Sequence, residues 1–320
     1  TTHFVHLKAK DVKVRSKIAK YIHIDQVIDD SVYSVVNQHD LKLLQKHFKE
    51  LIVETHVYTG PSTGALSDEI EFPKGDEKFH THAEVVAVLD ALAMKFPNIT
   101  ERFSLGTSLE GQEIPAIKIS AVKSKKPALF TPGILFLGAH HAREHLSTEI
   151  PLLLAKHLCE KFNNDTEITK LLNSREVYIA PMVNPDGAMY DIKGRKYKSW
   201  RKNRAINSGS SAIGVDLNRN YSFGWGTGGS SRSPRSDVFM GPKPFSEPET
   251  LAVKTFVESK PNIRILLTYH TFSELILYPW GGKNDGVGGK DQKVYEKMAT
   301  TMAKWNGYKP EQASDLYIAS

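Results

Sequence analysis

Residues 138–145 read G-A-H-H-A-R-E-H and place a histidine and a glutamate three positions apart. In a helix or turn that spacing turns both side chains to one side, so an imidazole nitrogen of His141 and a carboxylate oxygen of Glu144 can meet one metal ion. Many solvated helices carry this pair with no metal, and His140 and His145 are further ligand candidates in the same segment. The pair His141 and His145 lacks the glutamate arrangement of H-E-x-x-H proteases. A catalytic zinc takes three protein ligands and keeps one position open, so a third donor is needed. His270 ends the apolar run 263–269, and α/β sheets collect their reactive groups at strand ends. Taken alone, a histidine in that place is more often structural.

The composition narrows the choice of metal ligands. Cys159 is the single cysteine, so no intramolecular disulfide and no cysteine cluster can form, and a metal must use histidine and carboxylate. Lys plus Arg number 42 against 36 Asp plus Glu, a net charge of +6 spread over 320 residues, which argues against a dedicated nucleic-acid binder. The run 193–204 gathers Lys and Arg around Tyr197 and Trp200 and in isolation fits an anionic surface as well as a solvated basic face. The apolar runs are shorter than the ~18 residues needed to span a bilayer. The chain starts at Thr1 without a charged-then-apolar leader, so a signal peptide is expected to be absent or already removed.

Five further motifs follow H-x-x-E in order: N-P-D-G at 184–187, S-W-R-K-N-R at 199–204, G-V-D-L-N-R-N at 214–220, F-S-E-P-E at 245–249 and H-T-F-S-E-L-I-L-Y-P-W-G at 270–281. As a set, over residues 79–320, they resemble the zinc metallocarboxypeptidases of the carboxypeptidase A/B type, especially the bacterial members. The resemblance implies one zinc ion held by His141, Glu144 and His270, with Asp216 orienting the first histidine. It implies that Arg201 stabilises the oxyanion, and that Asn218 and Arg219 hold the free C-terminal carboxylate of a peptide. Arg143, Thr271 and Phe272 match substrate-binding positions; the family usually has Ser and Tyr at the last two, so Phe272 lacks a hydroxyl. Glu247, Glu249 and Glu274 do not align with the family's general-base glutamate, which is expected beyond residue 320, as are the mobile tyrosine and the pocket-floor residue.

The elements that must position these groups fall into three stretches. Residues 1–58 carry strand and helix patterns in the order βαββαβ, the order of a ferredoxin-like open sandwich: a strand over 3–9, a helix over 12–22, a hairpin over 24–36, a helix over 40–49 and a strand over 51–58. This module looks like the activation segment of the family's precursors. Residues 59–78, with Gly60, Pro61, Gly64, Pro73 and Gly75 among acidic residues, read as a cleavable linker in which Lys74 and Lys78 are open to an activating protease. From residue 79 onward, helices alternate with apolar strands, which predicts an α/β domain whose mixed, mostly parallel sheet is flanked by helices. The resemblance thus implies a zinc exopeptidase made as a zymogen, monomeric, secreted or periplasmic, acting on peptide C-termini, with no nucleic-acid or membrane partner. The alternatives are a catalytically impaired module that binds zinc and peptide C-termini, and a zinc amidohydrolase acting on cell-wall peptides.

Overall fold

The N-terminal alternation is realised as β1 (Thr2–Lys8), in which His3, Val5 and Leu7 are buried on one face and Phe4 and His6 lie on the other. The computed structural model describes residues 2–58, 69–122 and 131–319. After β1 come α1 (Val12–Ile18), β2 (Gln26–Ile28), β3 (Ser31–Asn37), α2 (Gln38–His47) and β4 (Ile52–Val57). The four strands are antiparallel in the order β2-β3-β1-β4, with Val5 opposite Ser34 and Leu7 opposite Val32. Asp11 caps α1 by accepting from the Lys13 N–H. That helix ends at Ile18, short of the predicted Ile22, because the chain turns there and still buries both isoleucines against Val32, Val36 and Leu44. Helix α2 starts two residues earlier than predicted because the Asn37 side chain accepts from the Asp40 N–H at 2.9 Å.

Chain contacts divide the molecule into two compact units, one of residues 1–59, 205–245 and 272–320 and one of residues 60–204 and 246–271. The second unit contains α3 (His82–Lys95), β5 (Thr100–Thr107), β6 (Glu113–Ile119), β7 (Gly133–Leu137), α4 (Leu146–Lys161), α5 (Thr166–Leu172), β8 (Glu176–Ala180), α6 (Pro185–Ile192), α7 (Pro248–Ser259) and β9 (Ile263–Thr268). Its sheet runs β5-β6-β8-β7-β9. The sheet is mixed and flanked by helices, as predicted, but its parallel share is smaller than predicted: β8-β7-β9 are parallel, whereas β5-β6 and β6-β8 are antiparallel. Alternation within a strand shows which face is buried, not which strand lies beside it. On one face Val85, Leu89 and Leu92 of α3 and Leu152, Ala155 and Leu158 of α4 pack on Ile117, Ile119, Val177 and Ile179. On the other, Phe256 of α7 stacks on Phe103 and meets Tyr178 edge-on.

The expected linker divides in two. Residues 59–68 lie outside the described residues. Residues 69–78 are held within the second unit: Ile70 bridges to Lys193, the Gly194 N–H donates to the Glu69 carbonyl, and buried Phe72 packs edge-on against His145 at 5.0 Å between ring centroids. Lys74 and Lys78 remain exposed.

The first unit is completed by α8 (Gly289–Asn306), which joins the parallel pair β10 (Leu275–Tyr278) and β11 (Lys309–Gln312), and by α9 (Ala313–Leu316). Gly307, at φ 74°, closes α8 in the left-handed conformation that glycine adopts freely. Within this unit Arg15 donates to the carbonyls of Leu316 (2.7 Å) and Asp315 (3.0 Å), and Tyr317 packs on the module core. Asp40 accepts from the Asp237 N–H at 2.9 Å. Among the described residues no helix is long and apolar enough to cross a membrane.

Candidate metal centre

The centre begins where β7 ends. A Cβ on Gly138 would lie 2.2 Å from the Ser147 carbonyl oxygen, so the chain can turn that tightly only with glycine there. Ala139 follows at φ 50°, a left-handed conformation costly for alanine, and throws the chain into the turn 140–145. The Glu144 N–H donates to the His141 carbonyl and the Ser147 N–H to that of Glu144, so this segment is a pair of tight turns just ahead of α4. The three-residue spacing therefore points both side chains the same way, as predicted. Parallel pairing sets Leu137 beside Thr268, and two residues past β9 the chain delivers His270 to the same point.

There His141 Nδ1 lies 2.7 Å from Glu144 Oε1, and His270 Nδ1 lies 2.8 Å from Glu144 Oε2 and 3.0 Å from His141 Nδ1. Among the described residues this is the one group of three or more His, Cys, Asp or Glu able to hold a metal. His141 and Glu144 are buried, and His270 is partly open. Burial by itself would raise the Glu144 carboxyl, yet the opposing charges and hydrogen bonds of His141 and His270 hold it well below the usual range. Burial lowers His270, partly offset by Glu144. An ionised carboxylate and a neutral imidazole are the protonation states a metal requires. Two imidazole nitrogens and a carboxylate, converging with a partly open third ligand, fit the donor set of a catalytic zinc.

The other two histidines of the motif serve different ends. His140 Nδ1 lies 3.2 Å from Thr268 Oγ1, and its ring stacks on His270. His145 Nε2 meets Asp191 Oδ2 at 2.9 Å in a buried pair. Asp191 was not singled out in the sequence; its signal is weak, an acidic residue just before the basic run. Its other oxygen accepts from the Trp200 N–H at 2.6 Å and so anchors the start of W-R-K-N-R.

Of the remaining predicted residues, Arg201, Arg143 and Thr271 belong to the same unit as the three ligands. Arg201 is 1% exposed, and its Nη1 lies 3.8 Å from Glu144 Oε1. The Thr271 N–H donates to Glu144 Oε2 at 3.2 Å, and Arg143 Nη1 lies 3.5 Å from the Ser199 carbonyl oxygen. Asp216, Asn218, Arg219 and Phe272 belong to the other unit. There buried Asp216 caps the turn Leu217–Arg219 through the Asn218 N–H; Asn218 is exposed, and Arg219 donates from Nε to the Gly229 carbonyl at 2.7 Å. Phe272 is 57% exposed. Non-glycine residues with positive φ flank these segments: Ala139 before the ligands, Ser199 before Arg201, and Ser273 and Glu274 after Phe272. Such strain gathers where function over-determines the backbone.

A His-Glu-His set, buried but for the partly open His270, stands at the C-terminal ends of parallel strands with a buried guanidinium beside it, a donor set suited to one zinc ion. Residues 85–317 match the family model described as zinc carboxypeptidase, and the chain belongs to that family, whose metal is zinc. It is 35% identical to a zinc carboxypeptidase of Saccharothrix mutabilis subsp. capreolus over 82% of this chain and 60% of the relative. It is 34% identical to carboxypeptidase A2 of Rattus norvegicus over 72% of this chain and 54% of the relative. The carboxypeptidase A of Helicoverpa armigera shares the fold, with a TM-score of 0.77 at 24% identity over 99% of this chain and 83% of that one. The chain thus spans a little over half the length of these two curated relatives.

Proposed function

We propose that this chain carries the activation module and a large part of the catalytic unit of a zinc-dependent exopeptidase that removes the C-terminal residue of peptides and proteins. The observation that carries the reading is the meeting of His141, Glu144 and His270 within 3.0 Å of one another, with Arg201 3.8 Å from Glu144. Zinc held by these three ligands would supply Lewis acidity toward the scissile carbonyl and toward water. Arg201, fixed and desolvated, stabilises charge developing on the carbonyl oxygen, which is strongest where water is excluded. Asn218 and Arg219 select a free carboxylate, since a guanidinium fork matches it in two hydrogen bonds, and Arg143, Thr271 and Phe272 line the path of the peptide. Asp216 holds the turn that presents the clamp. The general base is a glutamate outside these 320 residues, a place for which the greater length of the relatives leaves room.

The zymogen reading has its own support in the first unit. Phe272 lines a cavity of about 260 Å³ together with Phe4, Ile28, Tyr33 and Val35, and the Ser273 hydroxyl donates to the Asp25 carbonyl. These contacts support a reading in which the 1–58 module covers the strip assigned to the substrate wall until the linker is cut. Cleavage within 59–78 by an activating protease, outside the cytoplasm, would release it from a monomeric enzyme.

The test uses the natural protein, loaded with zinc, before and after linker cleavage. Release of single residues from peptides with a free but not an amidated C-terminus is expected, faster in the cut form, lost on chelation and restored by zinc. Binding of free C-termini without turnover would instead make it a binding module, and preference for cell-wall peptides would make it an amidohydrolase.

A further inference from the structure

We propose that Asn184 is a positioning residue of the metal centre, a bracket that ties the backbone beside zinc ligand His141 to the backbone beside Arg201; this rests on the exopeptidase reading for the role of Arg201. Asn184 is fully buried and precedes α6 as its N-cap. Its Oδ1 accepts from the Gly187 N–H at 3.0 Å, which is all that a cap requires. The carboxamide does more. Nδ2 donates to the carbonyl of His140 and to that of Lys202, each at 3.2 Å. The main-chain N–H of Asn184 also donates to the Ala139 carbonyl at 3.1 Å. One side chain thus joins the residue before His141 to the residue after Arg201 with both of its amide hydrogens used.

The chemistry of the site selects asparagine. Aspartate and serine can accept from Gly187 but offer no pair of donors to two carbonyls, and glutamine is one methylene longer. The bracket is also confined: a Cβ on Gly187 would lie 2.6 Å from the Lys202 carbonyl oxygen and 2.7 Å from both terminal atoms of the Asn184 carboxamide. A second tie runs parallel to it, from the Ala142 N–H to the Arg201 carbonyl at 3.0 Å. Beside Lys202, Asn203 donates from Nδ2 to Glu247 (2.7 Å) and Glu249 (3.2 Å), and on the other side of Arg201 the Trp200 N–H donates to Asp191 Oδ1 at 2.6 Å. Arg201 therefore stands on a segment pinned at both ends, and Asn184 is the pin that refers it to the metal ligands. Its placement matters because a displacement of ~1 Å at a reacting group can cost roughly 100-fold in rate.

The experiment compares wild type with Asn184→Asp and Asn184→Ser in the natural, linker-cleaved protein. Both variants keep an acceptor for the Gly187 N–H and remove the pair of amide donors that reaches the two carbonyls. Three quantities are read: the zinc dissociation constant by competition with a chromogenic chelator, kcat and KM taken separately, and the thermal midpoint. A positioning role predicts zinc binding weakened about 10- to 100-fold, as follows loss of other outer-shell partners, with kcat reduced by a similar factor and KM within about twofold. A lowered thermal midpoint with zinc affinity and kcat unchanged would reduce Asn184 to a helix cap and overturn the proposal. If Asn184→Asp fails to fold, Asn184→Ser carries the same readouts. If wild type binds zinc but shows no turnover, the exopeptidase reading fails, and the zinc constants alone decide the bracket.

Discussion

The N-terminal module and the metal-bearing unit bury different kinds of residue. The module core is Val5, Leu7, Ile18, Ile22, Ile24, Val32, Val36 and Leu44, and its buried charged groups, Arg15 and Asp40, reach out to carbonyls at 315–316 and to the Asp237 N–H. The metal-bearing unit buries Asn184, Asp186, Asp191, Arg201, Asn203 and Glu249 in its own interior. Apolar packing of about the right volume suffices to hold a shape, whereas a satisfied polar network fixes where each atom stands. The module needs a shape and a few points of attachment; the metal centre needs positions. Ser108 Oγ and the Glu110 N–H both bond to Asp186, and the Leu109 N–H bonds to Glu249, so even a remote turn is drawn into the polar frame.

The contrast can be broken at three points, taken from the largest effect down. Glu144→Ala removes a ligand and the charge that His141 and His270 face. Zinc is expected to be lost on dialysis and hydrolysis to fall well beyond the roughly 100-fold that follows loss of an outer-shell partner, as measured by metal content and peptide turnover. Retention of one zinc per chain would overturn the ligand assignment. Leu44→Ala opens a cavity in the apolar core of the module and should cost about 2–5 kcal/mol in denaturant unfolding of that unit, with the zinc dissociation constant unchanged. A parallel loss of zinc affinity would show that the two regions are not independent.

The third test concerns pH. Burial, reinforced by Glu247 and opposed by hydrogen bonds from the Leu109 N–H and Asn203, pushes Glu249 from the usual 4.5 up to about 7. Between these values the folded chain holds a proton that the unfolded chain has released, so stability falls as pH rises from 4.5 to about 7 and levels off above. The contribution is at most about 3 kcal/mol, and Glu249→Gln should flatten it. Unfolding free energies at pH 5 and pH 8 check this; an equal difference in wild type and variant would sink the assignment.

The convergence of the candidate ligands was legible because metal chemistry admits few residue types and the spacing within H-x-x-E carries geometry. His270 was legible only through its place at a strand end and the motifs around it. The polar frame was not: N-P-D-G and F-S-E-P-E stood out as motifs, but nothing local shows that Asn184 and Glu249 reach segments 18 to 140 residues away. The fate of residues 69–78 was likewise masked. Glycine, proline and acidic residues there read as a linker, and Phe72 was the sole sign of an anchored segment. Helix α6 was missed although Asn184 before Pro185 is a strong start signal, because the segment is short and buried rather than amphipathic.

The pairing of β7 with β9 has a consequence for how the protein is made. His141 and His270 are 129 residues apart and meet only once those parallel strands have closed, a long-range step that local helices do not accelerate. Before closure only two members of the set, His141 and Glu144, lie near each other in the chain. Tight zinc binding therefore draws on the closed state and shifts the folding equilibrium by mass action, in proportion to the logarithm of free metal over its dissociation constant. The supply of a trace metal in the compartment where the chain folds thereby helps to set how much of it folds at all.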